Sequence, residues 1–583
     1  MKHLFLFLAL TFLFQSCKIE KEASEFDFTT TFEKSAGRQT ATYDEVITFY
    51  ENLAEAYPSV KMRNSSRTDI GERLRMVTIN PSPETNFDNI KEDKVIILIN
   101  NGIHPGESDG IDATMMLFRD IAKGTIDMPK NTVIATIPVY NIGGALNRNS
   151  GSRTNQNGPE EYGFRGNARN YDLNRDFIKS DTRNASGFAR IFHLLEPDIF
   201  IDNHVSNGAD YQYTLTHLFT QHNKLGGNLG TYLHTELMPS LENDLASKNW
   251  DITPYVNVFN RTPEAGFSQF MDSPRYSTGY TALWNTLGMM VETHMLKPYK
   301  QRVEGTYELM RSMINIAERD HEKIKTLRKN ANTYWSEKET YPIGWQLDTT
   351  KTSTLNFKGF EGNMVTSEVT GQPRLEYDRN KPFTKETPYQ NYFKATKQIA
   401  VPEAYLIPRQ WRRIIDRLEV NEIEMDYIEE DIDLEVEVYH IANFETYNRP
   451  YEGHYPHYNT TITTSTDTVS IKKDTYIEVK TDQKGIRYLL ETLEPVAVDS
   501  FFNWNFFDTI LQQKEGFSPY VWEDAAAKLL AENPKLKAEF EKKKQDDDQF
   551  AASWYQQLDW LHKQSNNYEE AHLRYPIYRV LKK

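Results

Sequence analysis

The sequence predicts an α/β protein: a mixed, largely parallel sheet flanked by helices, followed by a β-rich accessory region and a helical tail. Two observations carry this. From about residue 42 to 325, short apolar runs alternate with amphipathic stretches at helical spacing, as strands buried on both faces and their covering helices do. After about residue 330 polar residues alternate with apolar or β-branched ones, which reads as half-buried strands.

The elements follow in order. "MKHLFLFLALTFLFQSC" has a short basic start, an apolar run too short to span a bilayer, then Ser16-Cys17. Cys17 is the only cysteine, and its setting resembles a bacterial lipobox, although Phe14 stands where Leu is usual. Residues 1–17 therefore read as a lipoprotein signal peptide, lipidated at Cys17 and directing export to the cell envelope on a membrane anchor. Residues 18–40 read as a polar linker. "TYDEVITFYENLAEAYPSV" spaces Val46, Ile47, Tyr50 and Leu53 as one helix face, and Pro58 stops it. "RLRMVTIN", "KVIILIN", "NTVIATIPVYN", "PDIFIDNH" and "LGMMVETH" are strands; "ESDGIDATMMLFRDIAKG", "ASGFARIFHLLE" and "KQRVEGTYELMRSMINIAERDHEKIKTLR" are helices. These place an α/β domain at 41–328 and the accessory region at 329–583.

In the accessory region "EVEVYHIANFET" and "TTITTSTDTVSIKKDTYIEVKT" read as strands, "IPRQWRRIIDRLEV" as a helix, and "EKKKQDDD" as a solvated helix face. The aromatic cluster "SFFNWNFFD" (500–508) reads as packing between domains in preference to a glycan-stacking surface. A formal net charge of −16 over 583 residues argues against nucleic acid as the main partner, since phosphate recognition needs clustered Lys and Arg. With one cysteine, no disulfide braces the fold.

The chemistry concentrates at strand ends. In sheets of this class functional groups gather beyond the carboxyl ends of the strands. "INNGIHPGESDG" puts His104 and Glu107 on a Pro-Gly turn directly after an apolar strand, and His204 ends another. Two imidazoles and a carboxylate suit a hydrolytic metal ion that keeps one position open for water. Asp172 and Asp202 are available behind the imidazoles. Glu292 ends the strand "LGMMVETH", where partial burial raises a carboxyl toward the range of a general base. "NYDLNRDF" supplies Arg175 beside Asn174, and the planar guanidinium fits a substrate carboxylate. His217, His222, His234 and His294 read as locally hydrogen-bonded side chains and not as ligands.

"HPGE", "DLNRDF", the strand-end "NH" and "VETH", in this order, resemble the zinc carboxypeptidase family (the M14 metallopeptidases) over about residues 42 to 325. The resemblance implies one zinc ion held by His104, Glu107 and His204, with Glu292 as general base and acid. It implies Asp172 behind the first zinc histidine and Asn174-Arg175 gripping a terminal carboxylate. It also implies an upstream arginine that polarises the scissile carbonyl, for which Arg169 is preferred and Arg165 is second. A substrate-capping tyrosine is assigned to Tyr280 ahead of Tyr276. Thr293-His294 after the base depart from the digestive members, and "DNH" also resembles the related deacylases. The expected activity is removal of C-terminal residues from peptides. The alternatives are a deacylase or amidase acting on N-acyl amino acids or cell-wall peptides, and a non-catalytic binding lipoprotein.

Overall fold

A computed structural model describes residues 26–582. The signal peptide and Cys17 lie outside the described residues. Within them no helix is long and apolar enough to cross a membrane.

The strands of the first half are β1 (Val60–Arg67), β2 (Arg73–Ile79), β3 (Val95–Asn100), β4 (Thr132–Ile137), β5 (Ile199–Ser206), β6 (Leu215–Phe219), β7 (Ile252–Pro254), the two-residue β8 (Phe267–Ser268) and β9 (Leu287–His294). All but β8 form one eight-stranded sheet in the order β1-β2-β4-β3-β5-β9-β6-β7. Its centre is parallel, with β4, β3, β5 and β9 running the same way, while β1, β2 and the β9–β6 pair supply antiparallel neighbours. This is the expected mixed sheet. Every residue of β3, β4 and β5 is buried, so strand-end polar groups are aimed into an enclosed volume.

Helices Tyr43–Ala56, Asp109–Ala122 and Tyr299–Ser336 cover one face; Leu53, Leu117 and Met313 share its core with β3 and β5. A capping box at Thr42 and Glu45 starts the first of these helices, satisfying backbone donors that the helix itself leaves free. Helix Arg183–Leu195 covers the other face with Phe188 and Phe192. That core continues without a break into Tyr488, Leu489 and Trp504 of the C-terminal half. The expected division at 328/329 falls inside the single helix Tyr299–Ser336. The linker expectation is corrected from residue 26 onward: Thr31–Lys34 is helical, and Phe28 and Phe32 are buried in the core because each finds aromatic partners.

The second half contains β10 (Thr340–Leu347), β11 (Ser353–Thr366), β12 (Pro373–Gln390), β13 (Phe393–Ala400), β14 (Ala404–Pro408), β15 (Asp426–Tyr427), β16 (Ile432–Thr446), β17 (His457–Ile471), β18 (Tyr476–Lys480) and β19 (Tyr578–Val580). β11 and β12 form a long hairpin whose base pairs with β8, and Gln212 donates to its Gly359 and Phe383 carbonyls at 2.9 Å each. A six-stranded sheet has the order β15-β18-β14-β19-β16-β17. The helices between Pro519 and Lys563 enclose a small core of their own around Trp522, Phe540, Phe550 and Leu561. "SFFNWNFFD" is packing: Phe501, Phe502, Trp504 and Phe507 are buried in the shared core.

Candidate active site

The loop after β3 carries the first two site residues. Gly102, at φ +63, takes a backbone conformation that side chains disfavour, and it turns the chain off the strand. The Glu107 amide then donates to the His104 carbonyl at 2.7 Å, closing the His-Pro-Gly-Glu turn so that both side chains face the same way. Gly106 leaves room for a neighbour, since a Cβ there would sit 2.6 Å from the Arg153 side chain. His204 comes from β5, and its direct register partner on β9 is Glu292.

His104, Glu107 and His204 are all buried, and one ligand atom from each lies within 4.8 Å of the others. Among the described residues no other His, Cys, Asp or Glu group meets that criterion. His104 Nε2 faces Asp172 Oδ1 at 2.8 Å and His204 Nε2 faces Asp202 Oδ2 at 2.9 Å. A carboxylate behind Nε2 keeps the ring proton there and leaves the Nδ1 lone pair free. Both Nδ1 atoms turn toward Glu107, at 3.3 Å for His104 and 3.2 Å for His204. Asn100 donates to Asp202 at 2.9 Å, so the second imidazole is held from two layers back. Two imidazole nitrogens and a carboxylate, with the remaining side open to a cavity, fit the donor set of a hydrolytic zinc ion.

The cavity has a volume of about 640 Å³, and Glu292, Arg153, Arg165, Asn174 and Arg175 line it together with the three candidate ligands. Burial pushes the Glu292 carboxyl up to about 7. Burial also opposes ionisation of Glu107, yet the charges of Arg153 and His104 hold that carboxyl well below its usual range. The same opposition meets Asp172, where His104, Arg165 and Arg175 prevail and keep it ionised. Environment thus separates two nearby glutamates, one fixed as an anion and one poised to gain or lose a proton near neutrality.

Arg165 grips Asp172 through Nε at 3.0 Å and Nη2 at 2.8 Å, and its Nη1 lies 3.4 Å from His104 Nδ1. Arg175 stacks over the Tyr276 ring at 4.5 Å, and Asn174 Oδ1 accepts from the Ser277 amide at 3.2 Å. The first choices for two roles are corrected. Arg169 does not line the cavity; it stacks over Tyr171 and donates to the Asp181 carbonyl at 3.3 Å. Tyr280 is buried in the core, bonded to Asn421 and 3.2 Å from His193, whereas Tyr276 lines the cavity. Tyr276 stands immediately before helix Ser277–Thr281 and Tyr280 lies within it, on the face turned to the core. His294 is not a ligand; its Nε2 bonds the Ala209 carbonyl at 2.8 Å.

Arg153 is one of several arginines in the stretch 152–177, and the sequence does not single it out. Its Nη1 bonds Glu107 Oε1 at 2.7 Å and its Nη2 reaches the Val205 carbonyl at 3.3 Å, which places it against one candidate ligand and against the residue that follows another. The one available signal was position: it lies in the loop beyond β4, the parallel neighbour of β3. Tyr255, also on the cavity wall, had no signal beyond being aromatic.

Fold and site together define an α/β protein with a buried His-Glu-His group that could hold a metal ion, beside a buried glutamate whose carboxyl is raised to about 7. No protein-family model matches the chain. Among characterised proteins it is similar to Carboxypeptidase 2 of Trichophyton equinum, with 21% identity over 498 residues, covering 80% of this chain and 84% of that protein. Carboxypeptidase 2 of Trichophyton rubrum is also 21% identical over 498 residues, with the same coverage of 80% and 84%. Among solved structures, a metallo-carboxypeptidase from Burkholderia cenocepacia aligns with a TM-score of 0.36 at 15% identity, covering 48% of this chain and 70% of that one. Carboxypeptidase A from Helicoverpa armigera aligns with a TM-score of 0.35 at 15% identity, covering 48% and 73%.

Proposed function

We propose that the protein is a zinc-dependent metallocarboxypeptidase that hydrolyses the C-terminal residue from peptides. The observation that carries this is the convergence of His104, Glu107 and His204 on one point, with Glu292 and the Asn174-Arg175 pair on the walls of the same cavity. A zinc ion held there supplies a Lewis acid and lowers the pKa of water.

The chain's own residues do the rest. Arg175 and Asn174 receive the substrate's terminal carboxylate, the guanidinium fork matching its two oxygens. That anchoring sets the last peptide bond against the trio. Arg153 and Arg165 flank the trio and face the scissile carbonyl oxygen as charge develops on it. Glu292 takes a proton from the attacking water and returns it to the leaving amine nitrogen, so the bond to carbon is replaced and charge balances. Tyr276, under Arg175, closes the cavity over the carboxylate end. Asp172 orients His104 throughout. Export on a lipid anchor at Cys17, in the cell envelope, belongs to the same proposal and rests on the sequence.

The test uses purified protein lacking residues 1–17, assayed for bound zinc and then against blocked peptides and N-acyl amino acids, with Glu292→Gln alongside. About one zinc per chain and release of C-terminal residues support the proposal. Turnover of N-acyl amino acids alone would move it to a deacylase. Zinc loading without hydrolysis of any substrate would make this a binding protein.

A further inference from the structure

Asn174 and Arg175 sit in a stretch with little regular structure of its own: between the cavity rim and helix Arg183–Leu195 there is only the single turn Leu173–Arg175. Contacts within the first half hold part of that stretch, and the C-terminal half supplies several more. Glu452, in the loop joining β16 and β17, accepts the Asp172 amide through Oε2 at 2.8 Å. Next to it, Gly453 packs so closely on Tyr171 that a Cβ would lie 2.7 Å from the phenol oxygen. His454 Nε2 meets Asp181 Oδ2 at 2.6 Å, and Arg417 donates to Asp181 Oδ1 at 2.9 Å.

The other side of the same corner is tied in the same way. Arg275, directly before Tyr276, gives buried Asp499 its backbone amide at 3.0 Å, Nε at 2.8 Å and Nη2 at 2.7 Å. The Arg275 guanidinium also stacks over Trp504 at 4.9 Å. Both tied segments meet where Arg175 covers Tyr276 and Asn174 accepts from Ser277. These contacts fall on the two segments that present the carboxylate-reading groups. Glu452 itself holds φ +49, a conformation that persists only where surrounding contacts impose it.

We propose that the C-terminal half is a built part of the carboxylate-reading corner, with Glu452 positioning Asn174 and Arg175 through the Asp172 amide and Asp499 positioning Tyr276 through Arg275. This rests on the peptidase reading above and gives the second half of the chain a function in that site. Asp172 links the two: its Oδ1 caps the Asn174 amide at 2.9 Å and also holds His104. Loss of the Glu452 acceptor therefore loosens the turn that aims Asn174 and Arg175, while the Asp172 carboxylate stays beside His104 because Arg165 grips it through two bonds.

Glu452 lies half-exposed on a loop, outside the hydrophobic cores, so its variants are expected to fold, which a thermal melt of each checks. Glu452→Ala removes the acceptor, and Glu452→Gln removes only the charge, keeping an oxygen that accepts the Asp172 amide. Hydrogen exchange of the zinc-loaded protein, followed over residues 169–177, is measured beside steady-state kinetics on an N-blocked dipeptide with a free C-terminal carboxylate. In Glu452→Ala, exchange of this segment should accelerate and KM should rise roughly five- to tenfold, with kcat within about twofold. Glu452→Gln should match the parent in both. Unchanged exchange in Glu452→Ala overturns the proposal. So does an equal KM shift in both variants, because the carboxylate would then act by its charge near Arg175. Glu292→Gln, run in parallel, separates the two levels: full activity there defeats the peptidase reading, while the exchange data still decide the positioning contact.

Discussion

Glu292 is a carboxylate whose surroundings favour its protonated form. A carboxyl raised to about 7 from an ordinary 4.5 adds stability only while protonated, and that contribution is lost as pH rises through the raised value. Replacing it by the neutral isostere should therefore leave metal-free protein at pH 8 at least as resistant to heat as the parent, measured by calorimetry. In the zinc-loaded enzyme the same change should lower kcat by about 10²- to 10⁴-fold with zinc content unchanged. Arg175→Ala should raise KM for free-carboxylate peptides by about a hundredfold, since a charge-assisted pair is lost. Arg169→Ala should stay within about twofold of the parent, because that side chain is held against Tyr171 outside the cavity.

Elements decide which of several similar side chains reaches the cavity. Strands β3, β5 and β9 were legible because each is an apolar run that ends at, or just before, a polar group with few reasons to be there. The two arginines around the trio were harder. Arg148, Arg153, Arg165 and Arg169 stand along one irregular loop with no periodicity, and only long-range packing selects among them. Gly106 is part of that selection, because its missing side chain is the space through which Arg153 reaches Glu107. Gly106→Ala should push Arg153 aside and reduce kcat/KM by about tenfold or more, with weaker zinc retention in a chelator competition. Tyr276 and Tyr280 show the same limit: one turn of a short helix separates a wall residue from a core residue.

Across the whole molecule, the junction between the halves was the least legible part of the sequence. Its contacts come from residues such as Glu452, Asp499 and Arg417, which in a linear reading are ordinary polar positions on strands, loops and helices. His193 belongs to this junction, with Nε2 3.2 Å from Tyr280 and 3.3 Å from Asn421. Burial lowers its pKa to about 4, against 6.5 when exposed. The unfolded chain thus binds the proton more readily, so this contribution is whole above pH 6.5 and declines as pH falls to about 4. It is worth about 3 kcal/mol. Chemical denaturation between pH 7 and 4 should show that loss, and His193→Gln should flatten the slope.

β19 (Tyr578–Val580) lies between β14 and β16, inside the six-stranded sheet, and Arg579 of that strand meets buried Glu494 at 3.0 Å. The order of synthesis therefore matters. β14 and β16 have no bridge between them until the ribosome has passed residue 580, and Glu494 has no guanidinium beside it before then. Without residues 578–580 the sheet loses an interior strand, and buried Glu494 loses the guanidinium that opposes its protonation. The hairpin that carries Glu452 therefore has a finished sheet beneath it only once residues 578–580 are in place.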